Sequence, residues 1–127
     1  MVPGIEAYYQ RLANSIMGVA PKNWERLIAQ STFYEGSARH FCECVKGGKP
    51  QSIPTPNDWD EILRELRTLF QTHDKKVWGQ AEFTLTKSGE FNLNWGYEDL
   101  DENGFTKFDA DRFLAENEAR RKRLSGG

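Results

Sequence analysis

The chain has 127 residues, of which 38% are hydrophobic and 13% aromatic, enough for one hydrophobic core and too few for two comfortable domains. Its net charge of -2 lacks the cationic excess expected of a nucleic-acid binder. No stretch of the sequence approaches the roughly 20 apolar residues of a membrane span, and the first residues do not resemble a signal peptide. We therefore expect a single domain over residues 1–127, located in the cytoplasm.

The first half of the chain predicts a helix followed by a hairpin. Between Gly4 and Gly18, apolar residues recur at three- and four-residue steps, which indicates an amphipathic helix. Alternating residues predict one strand from Trp24 to Tyr34 and a returning strand from Ala38 to Val45. Residues 47–50, Gly-Gly-Lys-Pro, are expected to close this hairpin. Residues 51–56, with two prolines, are expected to form a surface connection without regular hydrogen bonding.

The second half begins with the clearest helix of the sequence. Asn57 or Asp58 can cap it, an apolar stripe runs from Trp59 to Phe70, and His73 and Asp74 mark its end. The stripe predicts that this helix covers one face of a sheet.

A second hairpin and a last helix follow. Strands are predicted over Val77–Thr86 and Phe91–Tyr97, joined by the turn pair Ser88-Gly89. An irregular acidic segment, Glu98–Thr106, then leads to a helix from about Asp109. The predicted order is α-β-β-α-β-β-α, an α+β fold in which two hairpins form a four-stranded antiparallel sheet packed against the helices in about two layers.

A zinc site and a thiol nucleophile are both poorly matched by the sequence. His40, Cys42 and Cys44 alternate along one predicted strand, so their side chains share a face but spread over about 13 Å, which does not suit a tetrahedron. No activating neighbourhood for a thiolate is recognisable. We expect half-buried core residues, with the two cysteines as reduced thiols.

The acidic segment resembles the first half of a calcium-binding loop. Asp99, Asp101, Asn103 and Gly104 have the required spacing, but Ala110 occupies the twelfth position, where a bidentate glutamate normally closes the loop. We favour a solvated acidic loop without a metal. A small calcium- or ligand-binding module is the alternative. No paired catalytic carboxylates, phosphate-binding loop or cofactor motif is recognisable.

The segment's composition favours a protein interface. Glu98, Asp99, Asp101 and Glu102 follow directly on Tyr97, and a tyrosine beside acidic residues can anchor a basic partner while the charges steer its approach. The four bases of residues 120–123 suit the C-terminal end of a helix and do not by themselves predict nucleic-acid binding.

Two motifs carry a family resemblance. Trp24-Glu25-Arg26-Leu27 opens the first predicted strand, and the last hairpin contains Ser88-Gly89-Glu90-Phe91 and the run Trp95 to Leu100. Together with the order of elements, these motifs resemble the YezG-like immunity proteins, bacterial antitoxins that neutralise polymorphic nuclease toxins, including those of contact-dependent growth inhibition.

The resemblance implies a cytoplasmic inhibitor without catalytic residues or cofactors, which binds the C-terminal nuclease domain of a cognate toxin and covers its active site or nucleic-acid groove. An adaptor domain with a different partner is the remaining alternative. Neither the toxin's substrate nor the oligomeric state follows from the sequence. The residues predicted to contact the toxin are Tyr97, Glu98, Asp99, Asp101 and Glu102, with Glu90 and Asn94 as secondary candidates.

Overall fold

The computed structural model describes residues 2–73 and 75–126, and within these ranges the chain forms three helices and five strands. The helices are α1 (Ile5–Met17), α2 (Trp59–Thr72) and α3 (Ala110–Gly126). The strands are β1 (Arg26–Tyr34), β2 (Ser37–Lys46), β3 (Lys49–Ile53), β4 (Gln80–Thr86) and β5 (Phe91–Gly96). They form one antiparallel sheet in the order β3-β2-β1-β4-β5. None of the described helices is long and apolar enough to cross a membrane.

The predicted four-stranded sheet and the order α-β-β-α-β-β-α are wrong, because β3 adds a fifth strand before α2. Gly47 and Gly48 have φ angles of 62° and 74°, the positive values that a two-residue type I′ hairpin turn requires. They therefore start a new strand instead of closing the hairpin. The predicted connection over residues 51–56 is also wrong in its first half, because residues 51–53 pair with β2. Pro50 is tolerated in β3 because an edge strand needs hydrogen bonds on one side only.

The other predicted elements are confirmed to within a few residues. Both predicted hairpins pair antiparallel, β1 with β2 and β4 with β5, and β1 lies at the centre of the sheet beside β4. Helix α2 begins after Asp58 and ends at the C-cap residue His73. Asp74, the other predicted end residue, lies outside the described residues.

The core lies between one face of the sheet and helices α1 and α2. Leu27, Ala29 and Phe33 of β1 are buried on this face, and the register places Cys42 and Cys44 beside them. Both cysteines are buried free thiols, and burial raises the pKa of Cys42 to about 11. The prediction that the two cysteines are core residues is therefore confirmed, but they are fully buried instead of half-buried.

An aromatic cluster fixes the end of β5 to the core. The rings of Trp78 and Trp95 stack with 4.4 Å between centroids. Phe70 of α2 meets Trp95 edge-on at 5.2 Å, and Phe33 of β1 meets Trp78 at 5.7 Å. Residues from α2, β1 and β5 are thus joined directly before the acidic segment begins.

Helix α3 packs on the opposite face of the sheet, which makes a partial third layer instead of the expected two. Arg123 pairs with the buried carboxylate of Glu43 through two hydrogen bonds of 2.5 and 2.6 Å. The Arg120 guanidinium lies over the ring of Phe41. Arg120 and Arg123 therefore attach α3 to β2.

We predict that Trp78→Ala lowers the free energy of unfolding by about 3–5 kcal/mol, because a fully buried aromatic side chain leaves a cavity. Trp78→Phe should cost clearly less, since among the described residues the indole Nε1 has no hydrogen-bond partner to lose. Denaturant unfolding of both variants measures the difference. Equal losses would show that ring volume does not determine the stability of this cluster.

Candidate protein-docking site

The acidic segment after β5 is an ordered loop packed against the start of β4. Thr106 closes it: its backbone N–H donates to the carbonyl of Phe33 at 2.7 Å, and its hydroxyl donates to the carbonyl of Gly79 at 3.1 Å. Thr106 also forms isolated β-bridges with Leu100 and Tyr34. The residues between Leu100 and Thr106 are therefore held in one conformation by backbone pairing.

Gly79 allows the loop to approach the sheet this closely. A Cβ atom at this position would collide with the side chains of Leu100 and Thr106. Because the glycine has no side chain, both ends of the loop rest directly on the backbone that leads into β4.

A buried arginine anchors the loop to α2. The Arg67 guanidinium donates hydrogen bonds to the carbonyls of Trp78 and Gly104, the latter at 3.2 Å. It also lies over the ring of Phe105, with 4.5 Å to the centroid. Burial lowers the pKa of Arg67, but arginine stays protonated at neutral pH. The charged Arg67 side chain of α2 therefore fixes the position of the loop through Gly104 and Phe105.

Asp101 shapes the loop from within. Its Oδ1 atom accepts hydrogen bonds from the backbone N–H groups of Asn103, at 2.8 Å, and Phe105, at 3.0 Å. An aspartate in this geometry replaces a missing backbone partner in a tight turn. One of its two oxygens is therefore engaged with the loop itself.

Glu98 and Asp99 share one arginine from α3. Arg112 donates to Oε2 of Glu98 at 3.0 Å and to Oδ2 of Asp99 at 2.7 Å, and its Nε donates to Glu116 at 2.8 Å. The two acidic side chains remain 74% and 65% exposed. One guanidinium thus faces three carboxylates, and this corner of the molecule keeps a net negative charge.

Tyr97 and Glu102 line a shallow cavity of about 830 Å³ together with Asp101. The Tyr97 side chain is 40% exposed, and the ammonium group of Lys76 lies 5.2 Å from the centre of its ring, within the range of a cation–π contact. The tyrosine face can therefore hold a cation beside two carboxylates.

The two secondary candidates lie elsewhere. Glu90 is in the turn before β5, at the strand end opposite Tyr97. Asn94 lies on the exposed face of β5 and lines a groove of about 720 Å³ between the sheet and α3. The structure thus brings Tyr97, Glu98, Asp99, Asp101 and Glu102 to one end of β5, and it separates Glu90 from them.

Two of the residues that organise this site, Arg67 and Arg112, were not predicted from the sequence. Arg112 lies near the N-terminus of α3, where the helix dipole disfavours a positive charge. An arginine at this position therefore indicates that an acidic residue from another part of the fold lies beside it. Arg67 lies within the apolar stripe of α2, and a charged residue in such a stripe needs buried hydrogen-bond acceptors.

Three of the side chains considered as metal ligands, His40, Asp99 and Asp101, have protein partners. The two ring nitrogens of His40 lie 2.7 Å from the hydroxyl of Ser31 and 2.6 Å from the carboxylate of Asp60. Of the calcium-loop residues, Asp99 pairs with Arg112 and Asp101 bonds the loop backbone. Within residues 2–73 and 75–126, no three His, Cys, Asp or Glu side chains are grouped to hold a metal ion.

We predict that Asp101→Ala lowers the free energy of unfolding by about 1–3 kcal/mol, because two backbone N–H groups lose their acceptor. Glu102→Ala is the matched control, an adjacent acid with an exposed side chain, and should change stability by less than about 0.5 kcal/mol. Thermal or denaturant unfolding distinguishes the two. Equal stabilities would contradict a structural role for Asp101.

Comparison with known proteins supports the predicted resemblance. A family model described as "Immunity protein YezG-like" matches residues 55–116, which include α2, the β4–β5 hairpin, the acidic loop and the start of α3. The Type VII secretion system protein EsaG of Staphylococcus aureus is 26% identical over 108 residues, covering 72% of this chain and 66% of EsaG.

Two further relatives carry the name Immunity protein YezG. The protein of Bacillus spizizenii is 24% identical over 115 residues, covering 77% of this chain and 71% of the relative. That of Bacillus subtilis is 25% identical over 109 residues, with 72% of each chain covered. The matches span only about two thirds to seven tenths of these relatives. Over the matched residues the chain is therefore similar to the YezG-like immunity proteins.

Proposed function

We propose that this chain is an immunity protein that binds and neutralises a cognate bacterial toxin through the end of β5. The docking surface consists of Tyr97, Glu98, Asp99, Asp101 and Glu102, called here the acidic end. The observation that carries the proposal is the ordered, exposed cluster of carboxylates in the part of the chain that the YezG-like family model matches.

We propose further that the toxin domain is a nuclease. A nuclease must carry positive charge where it holds phosphate groups, and an acidic inhibitor can occupy that surface in place of the nucleic acid. The acidic end offers carboxylates together with an exposed tyrosine ring, a combination that can bind arginine or lysine side chains.

Arg112 prepares the acidic end for a partner. It holds the carboxylates of Glu98 and Asp99 close together, and exposed pairs of this kind contribute only about 0–1 kcal/mol to stability. A guanidinium or ammonium group of the toxin can therefore compete with Arg112 for them at low cost. Because the loop is already ordered, binding requires little further loss of conformational freedom.

Inhibition by covering a surface requires no catalytic residue, cofactor or metal ion. In this proposal the chain acts as a non-enzymatic inhibitor in the cytoplasm, where a cell would need to neutralise its own toxin.

We predict that changing Glu98, Asp99 and Glu102 together to lysine abolishes protection and weakens toxin binding at least about 100-fold, because like charges then face the basic partner. Stability should change by no more than about 1–2 kcal/mol, since all three side chains are exposed. Asp101 stays unchanged because it shapes the loop. Affinity by calorimetry and survival of toxin-expressing cells provide the readouts.

The matched control changes three other exposed acids, Glu6, Glu35 and Glu61, to lysine. This variant has the same net charge, and we expect it to retain binding and protection. Full protection by the acidic-end variant, or equal loss in both variants, would reject the acidic end as the docking surface.

The partner itself can be tested through the neighbouring gene. We expect the product of the gene directly upstream to be toxic on its own, to co-purify with this chain and to lose nuclease activity at a one-to-one ratio. A product that binds but degrades neither DNA nor RNA would leave the immunity role in place and reject the nuclease assignment. A product that neither binds nor is neutralised would reject this gene pairing.

A further inference from the structure

The two edges of the sheet differ in how they are protected. β3 is a short edge strand of five residues that begins with Lys49 and Pro50 and lies near α3. β5, at the other edge, has the sequence Phe-Asn-Leu-Asn-Trp-Gly, with neither a proline nor a charged residue. Edge strands commonly carry such residues to prevent pairing with another chain. β5 lacks this protection.

The hydrogen-bond pattern shows which backbone groups of β5 face outward. Thr86 donates to the carbonyl of Glu90 at 2.8 Å, and Gly79 donates to that of Gly96 at 3.0 Å. In an antiparallel ladder, the residues bonded to the neighbouring strand alternate. The even-numbered residues of β5 therefore bond β4, and the backbone groups of the odd-numbered residues point away from it.

These outward residues are Phe91, Leu93 and Trp95, and each offers one N–H and one C=O. Outside the sheet ladder, none of the backbone hydrogen bonds between described residues involves them. The edge therefore presents three donors and three acceptors along a strand of about 20 Å.

The side chains of β5 offer a different surface on each face. On the helix-covered face, the Phe91 side chain is 46% exposed and its ring lies 5.2 Å from that of Tyr9, while Leu93 is half-buried. On the opposite face, Asn92 and Asn94 are exposed amides. A strand added beside β5 would meet apolar groups on one face and polar groups on the other.

We propose that the toxin domain binds by adding a β-strand to the β5 edge. This inference rests on the proposed immunity function and specifies how the partner docks. The partner segment is an extended stretch of about six residues that alternates apolar and polar side chains. It carries a basic residue at the end that lies beside Glu98 and Asp99. Backbone pairing supplies affinity, and the acidic end selects the register by charge.

Amide exchange of the free and bound chain tests this docking mode directly. The probe is the toxin domain encoded by the upstream gene, added to the isotope-labelled chain and followed by NMR. In the free chain we expect the amides of Phe91, Leu93 and Trp95 to exchange faster than those of Asn92 and Asn94. In the complex, the three outward amides should be slowed roughly 100-fold or more.

The outcomes separate the two proposals. Binding without slower exchange at Phe91, Leu93 and Trp95 would overturn strand addition and leave the immunity function intact. Absence of binding by a toxin that other evidence pairs with this chain would overturn both. Slowed exchange confined to the three outward amides and the acidic end would support both.

A proline substitution provides a second test. The N–H of Leu93 faces outward, so Leu93→Pro removes no ladder hydrogen bond from the free chain, but it removes a donor that the partner strand needs. The control, Leu93→Ala, loses the side chain and keeps the N–H. We expect Leu93→Pro to bind the toxin domain at least about tenfold more weakly than Leu93→Ala. Equal affinities of the two folded variants would overturn the proposal.

Discussion

The buried guanidinium of Arg67 is the contact on which the proposed docking surface depends. Burying a charge is costly unless hydrogen bonds compensate, and Arg67 finds carbonyl acceptors at Trp78 and Gly104 and an aromatic face at Phe105. These contacts join α2, the approach to β4 and the acidic loop. Gly79 then allows the loop to lie directly on the sheet. An otherwise irregular, highly charged segment thereby acquires a fixed position at the end of β5.

The acidic residues of this fixed loop have different roles. One carboxylate oxygen of Asp101 accepts hydrogen bonds from the backbone of its own loop. Glu98 and Asp99 both pair with Arg112 and remain mostly exposed. Tyr97 and Glu102 line the open cavity beside them. A partner would therefore meet carboxylates that are already positioned. Two of them pair with Arg112, whose guanidinium a cation of the partner can replace. Preorganisation of this kind favours affinity, and the exposed charge favours rapid association.

Periodicity in the sequence was sufficient to predict most of the fold, whereas contacts between distant residues were not predictable from it. The apolar stripe of α2 and the alternation in β1 follow directly from the spacing of side chains. β3 was not predicted because the prolines at 54 and 56 indicate an irregular connection over residues 51–56. The glycine pair Gly47-Gly48 between two short runs is itself a hairpin signal. The acidic end was recognisable from local composition. Arg67 and Arg112 were not, because they act on residues 37 and 13 to 14 positions away in the sequence.

We propose that the end of β5 meets a cognate toxin. An NMR titration of the labelled chain with the toxin domain encoded upstream tests it most directly, because each backbone amide reports its own surroundings. We expect the largest shift changes in residues 91–102, together with Arg112, and small changes on the exposed side of α2 and in α1 away from Tyr9, which contacts Phe91. Changes centred on α1 and α2, with residues 91–102 unaffected, would contradict it.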